Sequence, residues 1–568
     1  MPVTPIHVST LKTLVYLSTK QPAQPELSMD RYSPSSHPIG ICFSGGGPRA
    51  MSAGMGQVRG FLNSALWPHV GAISCVSGGS WFGSIFSYAD GSIDDEALLG
   101  PMTAPADITL DNAATVPATR LTYGLTQINN EQIARALAIE LAHCVPSNRL
   151  YARMLNRLLL TPFRIDDVNR FFALGSADVD AIIANNPSLT PQDFYTLRDN
   201  RPYFIAQATQ VYPVTSQLEM RQFEYSPLYA GTPQLFPTGG SPKGPFGGGY
   251  VQNFAFDSSA PQAPDSQGRI TVDAPLHRFT ISDLMGSSGA APGSVLDMYG
   301  FPSLFDEFHY WAPGSAGAVP DPTVQKMSIV DGGDLENTGI VALLRRQYPV
   351  IVVCVNTSTP MNFAKGTYEG IDYQIASLFG YKPSDTQATR EIRQPVRQHG
   401  KQQTATDPIS VPAGSEIPNA FKIHIPQQPI QVFPQDDFQA VHDGLAAALE
   451  GGGPVYAVTE HLIYENNPFG IAPYPDSVNG GKVKVVWLYN QRIRNWVSQL
   501  QPDVAAFLDS KEKTEFMANF PNYDTVQQNS DRIGIKELLM LTPRQVNLLA
   551  DMWSWAVQEI AEDIRKLV

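Results

Sequence analysis

Residues 38–83 read PIGICFSGGGPRAMSAGMGQVRGFLNSALWPHVGAISCVSGGSWFG. A short apolar run, IGICFS, ends in three glycines and a proline. A segment rich in small residues, PRAMSAGMGQVRGFLNSA, comes next, then a second apolar run, GAISCV, and a second glycine turn. Short apolar runs bounded by glycine read as buried strands, and the longer segments behind them read as helices. The order is strand, helix, strand, helix. It predicts an α/β fold with a mostly parallel sheet covered by helices.

Outward from this stretch, further strands are expected at 202–209, 326–330, 348–355, 421–425 and 482–489. Residues 1–37 read as an irregular arm. Residues 38–382 read as the catalytic core, with a mostly helical insert at about 93–200. Residues 383–420, rich in Gln, Thr and Pro, read as a polar surface loop. Residues 421–568 complete the domain and end in a helix capped by Thr542 with Pro543 in its first turn.

The chain has 568 residues, 43% of them hydrophobic, enough for a large core. Its formal net charge of −14 argues against a nucleic-acid partner, which requires a basic face. Cysteines 42, 75, 144 and 354 have no metal-ligand spacing and read as free thiols of a reducing compartment. No metal or cofactor is expected. The first residues show no apolar stretch of a Sec-type signal, and no run approaches the length of a membrane span. Asn356-Thr357-Ser358 is a glycosylation sequon by letters alone, discounted without such a signal. A cytoplasmic or peripheral-membrane protein is expected.

The first glycine turn has two chemical readings. Gly45, Gly47 and Ala50 fit the spacing of a dinucleotide fingerprint between strand and helix. That motif also needs an acid about 20 residues on to hold the ribose. From Arg31 to Ala89 there is no Asp or Glu. The other reading is an oxyanion hole, in which Gly46 and Gly47 present main-chain N–H groups beside a helix N-terminus. An oxyanion hole needs a nucleophile, and AISCVSGGSWFG (72–83) has the strand, tight turn and helix of a nucleophile elbow. Ser77 sits at its corner, and the N–H of Gly78 is a further donor. A serine needs a base. In KMSIVDGGDLENTGI (326–340), Asp331 closes a β-rich run at a Gly-Gly turn. Each motif alone could be a turn without chemistry; the three together point to acyl transfer.

SGGGPRAM, SGGSW and VDGGDLENTG, in that order, resemble the patatin-like hydrolases, and most closely the cytosolic phospholipase and fungal lysophospholipase branch. Weaker matches are QFEYSPLYAGT (222–232), DLMGSSGAAPGSV (283–295) and FPNYDTVQQN (520–529). The resemblance implies a three-layer sandwich and a lipid acyl hydrolase acting on esters of glycerophospholipids or lysophospholipids at a membrane or micelle surface. It implies a Ser77–Asp331 dyad without histidine, and an oxyanion site at Gly45, Gly46, Gly47 and Gly78. Arg49 would bind the lipid phosphate or brace the site. Cys75 departs from the pattern, which carries glycine two residues before the serine. No stretch before residue 40 has room for a calcium-binding docking module, so calcium dependence is not carried over.

Two other classes compete with the hydrolase: a catalytically silent lipid-binding protein on the same fold, and a nucleotide-dependent oxidoreductase using the glycine loop. Within the hydrolase reading, His309 is a rival base, and Ser287 and Ser288 are rival nucleophiles without a strand before them. Residues 149–172 carry Arg149, Arg153 and Arg157 beside Leu150, Met154 and Leu158. This pattern fits a surface helix packed on the core, or else a basic lid over Ser77 that docks on a membrane.

Overall fold

The computed structural model describes residues 9–19, 24–143, 145–214, 217–236, 246–290, 307–314, 323–365, 368–381, 389–392, 421–424, 430–511, 517, 519–523 and 539–568. Strands β1 (Thr10–Leu17), β2 (Ile39–Phe43) and β3 (Val70–Val76) come first. Next are β4 (Tyr203–Val214), β5 (Gln217–Tyr225), β6 (Tyr229–Phe236), β7 (Phe246–Gln252) and β8 (Arg269–Asp273). Then come β9 (Glu307–Tyr310), β10 (Gln325–Asp331), β11 (Val350–Val355), β12 (Tyr456–His461) and β13 (Val483–Tyr489). All 13 join one sheet in the order β8-β1-β7-β6-β5-β4-β3-β2-β11-β13-β12, with β10 on β4 and β9 on β10.

The middle of this sheet, β4-β3-β2-β11-β13, is parallel, as the alternating pattern predicts. Every residue of β2, β3 and β11 is buried, the mark of strands covered on both faces. Consecutive residues of β3 show the two covering layers. A Cβ on Gly83 of helix α2 (Gly78–Tyr88) would stand 2.7 Å from Cys75 Sγ. The neighbouring Ser74 Oγ donates to Gly339 O (2.7 Å) at the start of a short helix, Ile340–Arg345. Adjacent strand residues point to opposite faces, so the two helices lie on opposite sides and the fold is a three-layer α/β sandwich. Cys75 is fully buried against α2, and burial pushes its thiol well up.

Several expectations change. The arm at 1–37 is not irregular throughout. Thr10–Leu17 forms β1, pairing with β7 on one side and β8 on the other. Glu26 is buried and accepts from Arg346 Nε (2.9 Å). Outside the parallel middle, β5 to β8 and β12 add antiparallel wings. The 421–425 strand forms over Phe421–His424, but it pairs with Thr389–Ile392 in a separate two-stranded sheet. The rest of 383–420, and Cys144, lie outside the described residues. The insert is helical with one addition, a two-stranded parallel sheet of Phe171–Ala173 and Phe194–Thr196.

Helix α1 (Gly47–Leu62) runs behind the first glycine turn and packs on the C-terminal helix Pro543–Arg565. Gly56 and Gly60, one turn apart, make the close crossing possible. A Cβ on Gly56 would stand 2.6 Å from Ala550 Cα, and one on Gly60 would stand 2.7 Å from Val557 Cβ. Arg59 locks the crossing from the same face with bonds to Asp551 (2.6 Å) and Ser554 Oγ (2.6 Å). Helix propensity alone predicts that Gly56→Ala stabilises by about 0.5–1 kcal/mol. The backbone contact reverses that sign. Gly56→Ala is expected to destabilise by about 1–3 kcal/mol, read as a lower denaturant midpoint; a raised midpoint would contradict this packing.

Candidate active site

The site is built where two strands meet end to end. β3 pairs with residues 203–207 of β4, and β10 pairs antiparallel with residues 208–211. β5 occupies the other edge of β4 over residues 206–214. β3 and β10 therefore share one edge and run toward each other. Val76 lies opposite Gln207, and Asp331 lies opposite Ala208, the next residue. Ser77 is the first residue after β3, and Asp331 is the last of β10. Their side chains meet although 254 residues separate them: Ser77 Oγ donates to Asp331 Oδ2 at 2.8 Å. The other oxygen, Asp331 Oδ1, accepts from the N–H of Gly333 (2.7 Å).

Ser77 has the strained backbone of an elbow, with φ 51° and ψ −123°. A non-glycine residue held there costs about 1–3 kcal/mol and needs support from its surroundings. Ser288 gives that support. Its hydroxyl accepts the Ser77 N–H (3.2 Å) and donates to Gln207 O (2.6 Å). Ser288 ends the helix Ile281–Ser288, whose capping Asp283 is held below the usual carboxylate range: burial raises it, and Arg153 and Arg149 outweigh that. The rival nucleophile is thus a neighbour of Ser77. Ser287 turns away and donates to Asp283 O (2.8 Å).

The two glycine turns pack on each other. A Cβ on Gly78 would stand 2.5 Å from Gly47 N, so only glycine fits there. Gly47 and Gly78 open α1 and α2, and neither N–H has a protein acceptor among the described residues. Two helix N-termini, each carrying partial positive charge, therefore converge beside Ser77. Gly46 supplies the turn itself, with φ 142°. Gly45 departs from its expected part: its N–H donates to Asn337 O (3.1 Å) and is not available as an oxyanion donor.

Arg49 is 4% exposed and its guanidinium is tied to main chain. Nε donates to Asn356 O (2.9 Å), and Nη1 donates to Tyr523 O. Tyr523 belongs to the weakly matching FPNYD stretch, clasped by Asn490 Nδ2 on Pro521 O (3.1 Å) and Asn522 Nδ2 on Asn490 O (2.7 Å). Arg49 thereby links the first glycine turn, the end of β11 and the 519–523 segment. The remainder of 520–529 lies outside the described residues.

His309 stands apart. It pairs across the strands with Lys326, five residues before Asp331, about 16 Å along an extended chain. Its ring bonds Asp257 Oδ1 (3.1 Å), which holds the imidazole above its ordinary range. Arg149 and Arg153 turn inward instead of forming a basic outer face, and Arg157 stays partly exposed. Arg149 pairs with Asp257 (2.6 Å) and Asp283 (3.1 Å), Arg153 is buried, and Arg157 pairs with Glu140. Behind Asp331, the loop is fixed by buried Glu336, which accepts from Thr338 N (2.6 Å) and Gly339 N (3.1 Å). Burial raises the Glu336 carboxyl above its usual range. Among the described residues, no group of three or more His, Cys, Asp or Glu could hold a metal ion, and no helix is long and apolar enough to cross a membrane.

No protein-family profile and no curated protein matches the chain. Among solved structures, it aligns with human GIVD cytosolic phospholipase A2 at a TM-score of 0.43 and 13% identity, over 97% of this chain and 61% of that one. It aligns with the same human protein in complex with methyl gamma-linolenyl fluorophosphonate and terbium chloride at a TM-score of 0.40 and 11% identity, over 100% of this chain and 66% of that one. The chain spans 61% of the length of the first of these structures.

Replacing Ser288 by alanine leaves the Ser77 N–H and the Gln207 carbonyl without this hydroxyl. The expected loss is about 1–3 kcal/mol of stability, measured by chemical denaturation. An unchanged midpoint would show that Ser288 does not hold the elbow.

Proposed function

We propose that the chain is a lipid acyl hydrolase that cleaves carboxylic esters of glycerophospholipids, lysophospholipids or both. The observation that carries the hydrolase is the 2.8 Å hydrogen bond from Ser77 Oγ to Asp331 Oδ2 at a strained elbow. A serine hydroxyl is a weak nucleophile until a base takes its proton. Asp331 is bonded to that proton and is held in place by the Gly333 N–H.

In this reading, Ser77 Oγ attacks the ester carbonyl carbon while its proton passes to Asp331. The carbonyl electron pair moves onto oxygen, beside the N–H groups of Gly47 and Gly78 and the two helix N-termini. Collapse of the tetrahedral intermediate breaks the ester C–O bond, and the proton on Asp331 leaves with the alcohol. Asp331 then takes a proton from water as the water oxygen attacks the acyl carbon; when this second intermediate collapses, the bond from that carbon to Ser77 Oγ breaks, Asp331 returns the proton to Ser77, and the fatty acid leaves. Arg49 keeps the first glycine turn in position.

The lipid substrate is supported by the order and wording of the three motifs, SGGGPRAM, SGGSW and VDGGDLENTG, which resemble the cytosolic phospholipase and lysophospholipase branch of the patatin-like hydrolases. Such a substrate would be met at a membrane or micelle surface, with the protein as a peripheral visitor.

The test is fatty-acid release from phosphatidylcholine and lysophosphatidylcholine, with a chelator present, by wild type and Ser77→Ala. Release by wild type with a fall of at least about 10³-fold in Ser77→Ala is expected. Equal release by both proteins would remove Ser77 from the chemistry. Absence of release by folded wild type would favour the silent lipid-binding protein.

A further inference from the structure

We propose that Asn337 is a further catalytic residue, whose side-chain amide donates to the reacting carbonyl oxygen; this rests on the acyl-enzyme reading of Ser77. Asn337 lies six residues after Asp331, in the loop that returns from the end of β10 to the parallel sheet. Its main-chain carbonyl accepts the Gly45 N–H at 3.1 Å. Its carboxamide lies over two glycines that flank the dyad. A Cβ on Gly333 would stand 2.6 Å from Asn337 Oδ1 and 3.0 Å from Asp331 Oδ1. A Cβ on Gly45 would collide with the same Asn337 oxygen and stand 2.9 Å from Ser77 Cβ. The carboxamide is therefore beside both the nucleophile and its base.

The polar side chains around it are engaged. Glu336 caps the following turn, Thr338 bonds Glu336, and Ser288 bonds the Ser77 N–H. The Asn337 side chain is half-buried and makes no hydrogen bond to protein among the described residues. An amide kept unbonded at this point has its two N–H donors and its oxygen available for a ligand. A half-turn about the last side-chain torsion exchanges its nitrogen and oxygen, so a donor can be presented on either side. A purely structural asparagine would not need this. The bond to Gly45 is made by the main chain, which any residue supplies.

The chemistry calls for a donor here. Gly45 lies within the expected oxyanion turn, yet its N–H is consumed by Asn337 O. Among the described residues, the N–H groups of Gly47 and Gly78 have no protein acceptor. When Ser77 Oγ bonds to the carbonyl carbon, the π electron pair moves to oxygen and the serine proton moves to Asp331. An Asn337 N–H directed at that oxygen stabilises the new charge and is released when the carbonyl re-forms.

The experiment compares wild type, Asn337→Ala, Asn337→Asp and Ser77→Ala on a soluble short-chain p-nitrophenyl ester. It also measures the affinity of an alkyl trifluoromethyl ketone, which adds a serine oxygen to form a tetrahedral oxyanion. Loss of one such donor is expected to lower kcat by roughly 10²–10³-fold with KM within about threefold of wild type. The ketone's inhibition constant should rise in parallel with the fall in kcat/KM, which a merely structural role would not produce. Asn337→Asp is isosteric and carries the test if the alanine variant does not fold. Asn337 variants within about threefold of wild-type kcat, with Ser77→Ala inactive, would overturn the assignment and leave the acyl-enzyme reading intact. Wild-type rates in Ser77→Ala would overturn both.

Discussion

One edge of one strand sets the geometry of this site. β4 is 12 residues long, longer than the parallel strands beside it. Its lower part pairs with β3, and its upper part, on the same edge, pairs with β10 running the opposite way. The two partners meet at adjacent residues, Gln207 and Ala208, and each ends in a functional group. Main-chain hydrogen bonds along β4 fix both strand ends at once. The nucleophile and its base thus come together without a linking helix or loop to adjust. A shift of β10 by one residue would turn Asp331 to the other face of the sheet, away from Ser77.

The same junction collects positive potential. α1 and α2 begin at Gly47 and Gly78, and their first turns touch. Each helix leaves main-chain N–H groups unsatisfied at its start, where the aligned peptide dipoles add to their effect. In a buried site such fixed donors act more strongly than in water and need no reorganisation during reaction. Ser77 carries the strain that this arrangement requires. Ser288, Gln207 and the packed glycines hold it there.

Much of this was legible in the sequence, because turn chemistry is local. SGGGPRAM and SGGSW state the two strand-to-helix turns in their glycines and small residues, and DGG marks the end of a strand. The parts that were not legible depend on contacts between distant segments. β1 looks irregular at 10–17 because its strand character comes from the edges of β7 and β8, more than 200 residues away. The arginines of 149–157 look like an outer basic stripe; the partners of Arg149, Asp257 and Asp283, are brought in by the fold. Gly45 looked like a donor because glycine fits the loop, but its N–H is taken by Asn337, 292 residues on. Ser288 was visible only as a competing serine. Its part in holding Ser77 depends on where the helix Ile281–Ser288 ends.

The most direct test of the central claim is site-resolved labelling by an alkyl fluorophosphonate, read by intact mass and peptide mapping. The reagent phosphonylates a serine only when a base activates it. A single adduct on Ser77 in wild type, with its rate of formation cut by at least about 10²-fold in Asp331→Asn, is the result predicted for a dyad assembled by β3 and β10. Labelling of a different serine, or of Ser77 at the wild-type rate in Asp331→Asn, would contradict it.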